Sequence, residues 1–337
     1  MFFLIFLTTF LFSLFFTSLV KILSYKFNIL DHPDHRKIHQ KPIPLMGGVA
    51  VFAAFALAGL FFSIDPKVLL IGLGFIFFGL LDDAGIKIRA RYKIWTHLLL
   101  SFLFLYLTGN CFDLFNLKII NYIISACFIT FMTNSMNMLD GMDGLVAGIA
   151  TIASFAFFVL GLTNNLPEVI VISLAVLGAC LGFLRYNFNP ASIFLGETGS
   201  TFLGFILAVM TLKLSIFSLW NIALALNLPR LQFVSILVPL TILAIPIFDT
   251  SFVFLNRFFH RIKMSTPGKD HSHHRIHSMG LSHKLTVLVL YAVQVVLSAI
   301  AIIMVNADLL QFTALLAILL MFAACSWLFL LKVRVYN

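Results

Sequence analysis

Apolar runs about as long as a bilayer-crossing helix follow one another along nearly the whole chain, and they constrain the fold more than any motif does. In lipid each backbone N–H and C=O must find a partner within the protein, so runs of about 20 residues form α-helices. Eleven candidate spans follow, at roughly 2–23, 46–63, 66–81, 94–110, 117–138, 145–162, 168–184, 200–218, 233–255, 284–305 and 309–331. With 61% hydrophobic and only 10% charged residues among 337, an ordinary soluble domain is excluded. The expected fold is an all-α polytopic integral membrane protein, one helical domain over residues 1–337, its 39 phenylalanines suited to a lipid-facing surface. The stretch 219–232 is expected to lie along the external interface.

The first run meets its first positive charge only at Lys21, its far end, so it reads as a retained helix with its N-terminus outside rather than a cleaved signal. Eleven spans then bring the C-terminus to the cytoplasm. In this arrangement 18 of the 22 Lys and Arg lie on the cytoplasmic side, at 21–41, 82–93, 185, 257–284 and the C-terminal tail, and all ten histidines fall on or beside the same loops. The formal charge of +9 is what the positive-inside rule produces and gives no reason to invoke nucleic acid. Cys111, Cys127, Cys180 and Cys325 are scattered, with no C-x-x-C pair, so neither a disulfide framework nor a zinc site follows. Chemistry is expected on the cytoplasmic face of the plasma membrane.

Asn137 to Leu145 puts Asp140 and Asp143 three residues apart, each followed by glycine, directly after a spanning run. Charges so close to hydrocarbon are paired or functional. Asp82 and Asp83 end a run opened by Asp65-Pro66, whose sixteen residues reach only about 24 Å against a hydrocarbon thickness of roughly 30 Å, so this pair should sit recessed. Both pairs fall at helix C-termini, where the dipole disfavours anions. Lys87, Arg89, Arg91 and Lys93 can neutralise them as simple ion pairs, but Gly141 and Gly144 add nothing to an ion pair, whereas glycine lets a backbone approach a phosphate. Hard oxygen ligands favour Mg²⁺ or Mn²⁺, with substrate phosphates completing the shell.

Three further blocks belong beside these. Arg185 to Ser200, with Asn187, Phe194 and Glu197, enters a helix, so Glu197 is either N-terminal capping chemistry or a metal ligand. Asp270 to His277 carries His271, His273, His274 and Arg275, a zinc-like cluster with the wrong spacing, better suited to donating to phosphates. Asp249 lies inside an apolar run as a structural acceptor. The first loop, Asp31 to Gly48, holds Arg36, Lys37 and Lys41, either as a positive-inside anchor or to attract anionic lipid or nucleotide phosphates.

Together these blocks, from Arg36-Lys37 and Pro42-Ile-Pro44 with Gly47-Gly48 to His271 to Arg275, resemble the polyprenyl-phosphate N-acetylhexosamine-1-phosphate transferases over nearly the whole chain. The resemblance implies a Mg²⁺-dependent eleven-helix enzyme that moves a sugar phosphate from a UDP-N-acetylhexosamine, most closely UDP-GlcNAc, to undecaprenyl or another polyprenyl phosphate with release of UMP, the first membrane step of cell-envelope polysaccharide synthesis. It implies catalytic roles for Asp82, Asp83, Asp140 and Asp143, and metal binding by Asp83, Glu197 and Asp82. Asn137, Asp140, Asp143, Asn187, Phe194, His271, His273, His274, Arg275, Arg36, Lys37 and Lys41 are implied in holding nucleotide, sugar and phosphate. A homodimer is compatible with the sequence. Glu197 stands where the family usually has aspartate, which bears on metal preference or rate. The rival readings are a phospho-N-acetylmuramoyl-pentapeptide transferase, disfavoured by the spaced His-x-His-His order, and a cation-coupled transporter or flippase.

Overall fold

The computed structural model describes residues 1–33, 41–86, 88–263 and 268–333. Helices make up about three quarters of the described chain: α1 (Phe2–Lys26), α2 (Gly47–Phe62), α3 (Pro66–Asp83), α4 (Ala90–Thr108), α5 (Lys118–Leu139), α6 (Leu145–Thr163), α7 (Pro167–Asn187), α8 (Gly196–Lys213), the short α9 (Trp220–Ala225), α10 (Gln232–Ser235) and α11 (Leu237–Ile242), then α12 (Ala244–Phe259), α13 (Ser272–Ser278), α14 (His283–Met304) and α15 (Leu309–Leu331). The strands β1 (Leu30–Asp31) and β2 (Ile43–Pro44) pair antiparallel and close the first loop.

Six helices, α1, α5, α6, α7, α14 and α15, are long and apolar enough to cross a membrane. Two bent assemblies bring the number to as many as eight: α8 with the 217–225 segment, bent by 54°, and the run from α10 through α12, bent by 85°. The remaining three expected spans are helical where the sequence predicts, but α2 has only 16 residues and α3 carries Lys67, Asp82 and Asp83. The stretch 219–232 expected at an interface holds α9 and ends at the first residue of α10.

At the axis lies α8, whose residues from Thr198 to Leu212 are all buried. It is apolar on every side, as a helix enclosed by others must be, and α2, α3 and α5 pack around it. The phenylalanines are not only a lipid-facing coat. Phe75 stacks on Phe205 at 4.8 Å between ring centroids, and Phe104 meets Phe205 edge-on at 5.4 Å, all three buried. Aromatic pairs of this kind add specificity to the burial. By contrast α15 is almost wholly exposed outside α13 and α14.

Alternate helix ends converge at one end of the bundle. The first amides of α2, which have no partner within their own helix, donate to the loop before α8: Gly47 N–H to the Phe194 carbonyl (3.0 Å) and Gly48 N–H to the Leu195 carbonyl (2.8 Å). A side chain at Gly48 would sit 2.1 Å from the Gly199 nitrogen, so glycine lets the two N-termini touch.

Candidate functional site

The first part of the site forms where the C-terminus of α3 meets the N-terminus of α8. Asp83 accepts from the backbone N–H of Glu197 (2.9 Å) through one oxygen and of Thr198 (3.0 Å) through the other, which also takes the Thr198 hydroxyl. The position that is unfavourable for α3 is thus favourable for α8, whose N-terminal dipole and free amides receive the charge. Gly196 has φ +74°, and a Cβ there would lie 2.4 Å from Asp83 Oδ2, so no other residue leaves room for this cap. Glu197 does not cap its own helix. Its carboxylate meets Lys93 Nζ at 2.5 Å, and the same ammonium lies 2.9 Å from Asp82. Lys93, from the first turn of α4, is the functional side chain that sequence reasoning placed only within a group of four basic residues.

The second part is the 139–144 turn between α5 and α6. Asp140 caps the C-terminus of α5, and no described residue donates a hydrogen bond to its carboxylate. Burial, with Asp83 and Asp143 nearby, pushes its pKa up to about 8. Asp143 belongs to the N-terminal approach of α6 rather than to the end of α5. One of its oxygens accepts from Asn189 Nδ2 (2.9 Å) and from the Ala191 N–H (3.0 Å), and its own N–H faces His283 Nε2 at 3.3 Å. Asn137 accepts from the Ser200 hydroxyl at 3.0 Å, tying α5 to α8. Asn187, expected to bind substrate, has its amide engaged by backbone: it accepts from Gly144 N–H (3.1 Å) and donates to the Ile193 carbonyl (2.9 Å). It shapes the turn that carries Asp143.

The histidine block supplies the third part. Asp249, fully buried in α12, accepts from His271 Nδ1 (2.7 Å) and from both the N–H and hydroxyl of Ser272 (2.6 Å each). It starts α13 and sets the His271 ring, with Nε2 left to face outward from this bond. His273 is wholly buried, and among the described residues neither of its ring nitrogens has a hydrogen-bond partner. A Cβ on Gly141 would lie 2.4 Å from His273 Nε2, so the ring rests on the aspartate turn. His274 packs against His273 at 4.3 Å between centroids. Arg275 is buried, its guanidinium donating to the carbonyls of Asp270 (3.0 Å), Leu330 (2.9 Å) and Val333 (2.5 Å) and lying over Phe252, contacts that anchor α13 to the end of α15. A buried Arg257–Asp270 pair, with contacts of 2.7 and 2.6 Å, braces the start of the block.

Burial holds His273 down to about 3 and His274 down to about 4. Both rings are therefore neutral in the folded protein while the unfolded chain takes up protons below its histidine pKa of about 6.5. The unfolded state binds more protons in that range, so stability should fall as pH drops from about 6.5 towards 4. Unfolding midpoints in detergent across this range, compared with those of His273→Phe, test it: the variant should lose part of the slope, and an equal slope would assign the acid sensitivity elsewhere.

The site thus gathers Asp82, Asp83, Asn137, Asp140, Asp143, Glu197, His271, His273 and His274. Phe194 is half-buried beside β2 and hydrogen-bonded through its backbone to Pro44 and Gly47. Lys41 is exposed just before β2. Arg36 and Lys37 lie outside the described residues. Among the described residues no three His, Cys, Asp or Glu side chains already enclose a metal-sized space.

Residues 66–215, which contain every carboxylate of the cluster, match the family described as "Glycosyl transferase family 4". Over 318 residues the chain is 33% identical to a Bacillus subtilis (strain 168) protein described as "Probable undecaprenyl-phosphate N-acetylglucosaminyl 1-phosphate transferase", covering 90% of this chain and 85% of that one. The chain belongs to glycosyl transferase family 4. Within the family it is also 26% identical over 316 residues to the decaprenyl-phosphate N-acetylglucosaminephosphotransferase of Mycolicibacterium smegmatis (strain ATCC 700084 / mc(2)155), covering 85% of this chain and 77% of the relative. A phospho-N-acetylmuramoyl-pentapeptide-transferase of Caldicellulosiruptor bescii matches at 27% over 211 residues, only 55% of this chain. The family assignment gives the carboxylate cluster a chemical context that its geometry alone does not.

Proposed function

We propose that this protein transfers N-acetylglucosamine 1-phosphate, or a close N-acetylhexosamine relative, from a UDP-sugar to undecaprenyl or another polyprenyl phosphate. The full-length likeness to relatives named for this transfer supports the reading, and the partial match to the muramoyl-pentapeptide enzyme disfavours that alternative. The observation that carries it is the convergence of five carboxylates with a buried, unpartnered histidine at one end of the bundle. A cation-coupled transporter would place such charges near mid-membrane on broken helices. We further propose eleven spans with the N-terminus outside, which makes this end the cytoplasmic face of the plasma membrane.

The donor set fits Mg²⁺. It offers carboxylate oxygens around Asp140, which no described residue donates to, with the His273 ring beside the turn, and Mg²⁺ takes one or two protein carboxylates while water and substrate phosphates complete its shell. Asp140, with Asp83 or Asp143, would hold it. Bound there, the ion would offset the charge of the diphosphate. Asp82 and Glu197 each meet Lys93 through one oxygen, so either would share its charge between the ammonium and the ion.

In the transfer an oxygen of the lipid phosphate attacks the sugar-side phosphorus of the UDP-sugar. A new P–O bond forms, the bond from that phosphorus to the bridging oxygen breaks, and UMP leaves with that oxygen. The protein's task is positioning and charge neutralisation. Asp82, the more exposed partner of Lys93, would take a proton from the acceptor phosphate; the ring of His271, set by Asp249, and those of His273 and His274 would donate to phosphate oxygens. Phe194 would stack on uracil.

Purified protein with polyprenyl phosphate, Mg²⁺ and a panel of UDP-sugars should release UMP and yield a sugar pyrophosphate lipid by mass spectrometry. Neither product with any donor would end the transferase reading. Glu197→Asp withdraws a carboxylate by about one bond length from Lys93, a change to which near-octahedral Mg²⁺ is sensitive. The Mg²⁺/Mn²⁺ activity ratio should therefore shift. With the variant folded, an unchanged ratio would show that Glu197 serves Lys93 alone.

A further inference from the structure

At the end of the bundle away from the carboxylates, an open cleft of about 790 Å³ lies where the connection between α4 and α5 meets the chain leaving α8 and the start of α10. The helix α8 carries Glu197 in its first turn and reaches Ser215, in the cleft wall, just past its last; its 18 residues span about 27 Å. Likewise α5 begins at Lys118, two residues after Asn116 of the wall, and ends beside Asp140. The cleft is therefore a separate place from the site described above.

Its walls are tied together. Arg230 donates to Asp113 and, at 2.7 Å, to Asn116 Oδ1, while Gln232 Oε1 accepts from the Asp113 N–H. Phe115 meets Phe233 edge-on at 5.9 Å between centroids. Beyond these ties the walls keep unspent groups. Phe217 and Trp220 present exposed rings, and among the described residues nothing accepts from Asn116 Nδ2 or Gln232 Nε2. Ser235, only 1% exposed, also lines the cleft, and no described residue pairs with its hydroxyl. A buried hydroxyl is normally paired, and leaving it alone is costly.

The chemistry of these groups selects the occupant. An anion gains little, because Asp113 already meets the charge of Arg230. An acyl chain would cover the amides and hydroxyls without pairing them. A sugar ring satisfies both kinds of wall: the C–H groups on its face suit the electron-rich faces of Phe217 and Trp220, and the hydroxyls on its rim both donate and accept. We propose that this cleft binds a neutral saccharide, one ring on Trp220 and its hydroxyls at Asn116, Gln232 and Ser235. Its volume falls within the roughly 300–1,000 Å³ of small-molecule sites. The orientation proposed above opens the cleft outside the cell, but the binding depends neither on that orientation nor on the transferase reading.

The test is saturation-transfer difference NMR on the full-length protein in phosphatidylcholine nanodiscs, with maltotriose and triacetylchitotriose as probes. At least one probe should receive magnetisation, most strongly at ring C–H protons. Excess UDP-N-acetylglucosamine should not displace it, and neither should replacing part of the lipid with phosphatidylglycerol. Trp220→Ala should weaken binding by about tenfold, whereas Trp220→Phe, which keeps a ring, should retain most of it. Ser235→Ala should also weaken binding without lowering the unfolding midpoint, since a methyl group needs no partner. Silence from both probes, displacement by UDP-N-acetylglucosamine or by phosphatidylglycerol, or binding that neither alanine variant weakens would overturn the proposal.

Discussion

Asp83→Asn is expected to abolish most of the activity and to lower stability together. Asp83 is the one carboxylate with both oxygens on the α8 N-terminus, receiving the amides of Glu197 and Thr198 and the Thr198 hydroxyl. An asparagine keeps one acceptor oxygen and turns an NH₂ towards a donor, so at least one buried amide loses its partner. Hydrogen bonds to a charged group contribute about 1.5–3 kcal/mol, and the α8 dipole loses its counter-charge as well. A loss of about 2 kcal/mol in unfolding free energy in detergent is expected. Turnover should fall by about 10² or more, because α8 also carries Glu197 and, through Ser200, fixes Asn137. Wild-type stability in the Asp83→Asn variant would mean that the α3–α8 junction is held by helix packing alone.

Gly141→Ala tests the second junction, between the aspartate turn and the histidine block. The added methyl would stand 2.4 Å from His273 Nε2, and the ring has little room to retreat, with His274 at 4.3 Å and His271 at 5.5 Å between centroids. Overpacking of this sort costs about 1–3 kcal/mol. Displacing His273 from the aspartate turn should cut UMP release by about 10²-fold, the scale seen when one positioned donor is removed. Removing the ring relieves the clash, so Gly141→Ala with His273→Ala should be more stable than the sum of the two single changes predicts. Additive losses would show that the methyl strains the turn itself and not the ring.

The helical character of the chain was legible because lipid leaves a backbone no alternative, and the limits of nearly every long helix can be read from where its apolar run stops. The carboxylate pairs were legible for the same reason: a charge at the edge of an apolar run is conspicuous. The partners of those charges were not. Asp83 is 114 positions from the amide it caps, and Lys93 is 104 from Glu197. No local pattern encodes such pairings; one of four neighbouring basic residues happens to start α4 on the side facing α8. Arg275 and Asn187 show the converse. Both stand in polar blocks that look like ligand-binding loops, yet both are engaged by main-chain groups, Asn187 by those of the neighbouring turns and Arg275 also by carbonyls at the end of α15.

The sequence by itself determined that this is a helical membrane protein of glycosyl transferase family 4 with acidic and histidine-rich chemistry on connecting loops, since hydropathy, charge and motif are all properties of residues near one another in the chain. Only the tertiary structure decided which carboxylate is free. Asp83 caps α8, Asp82 and Glu197 share Lys93, and Asp143 is held by Asn189, which leaves Asp140 as the carboxylate of the cluster that no described residue donates to, in the turn on which His273 rests. That outcome depends on which helix ends meet, and helix ends meet through packing of buried faces far apart in sequence.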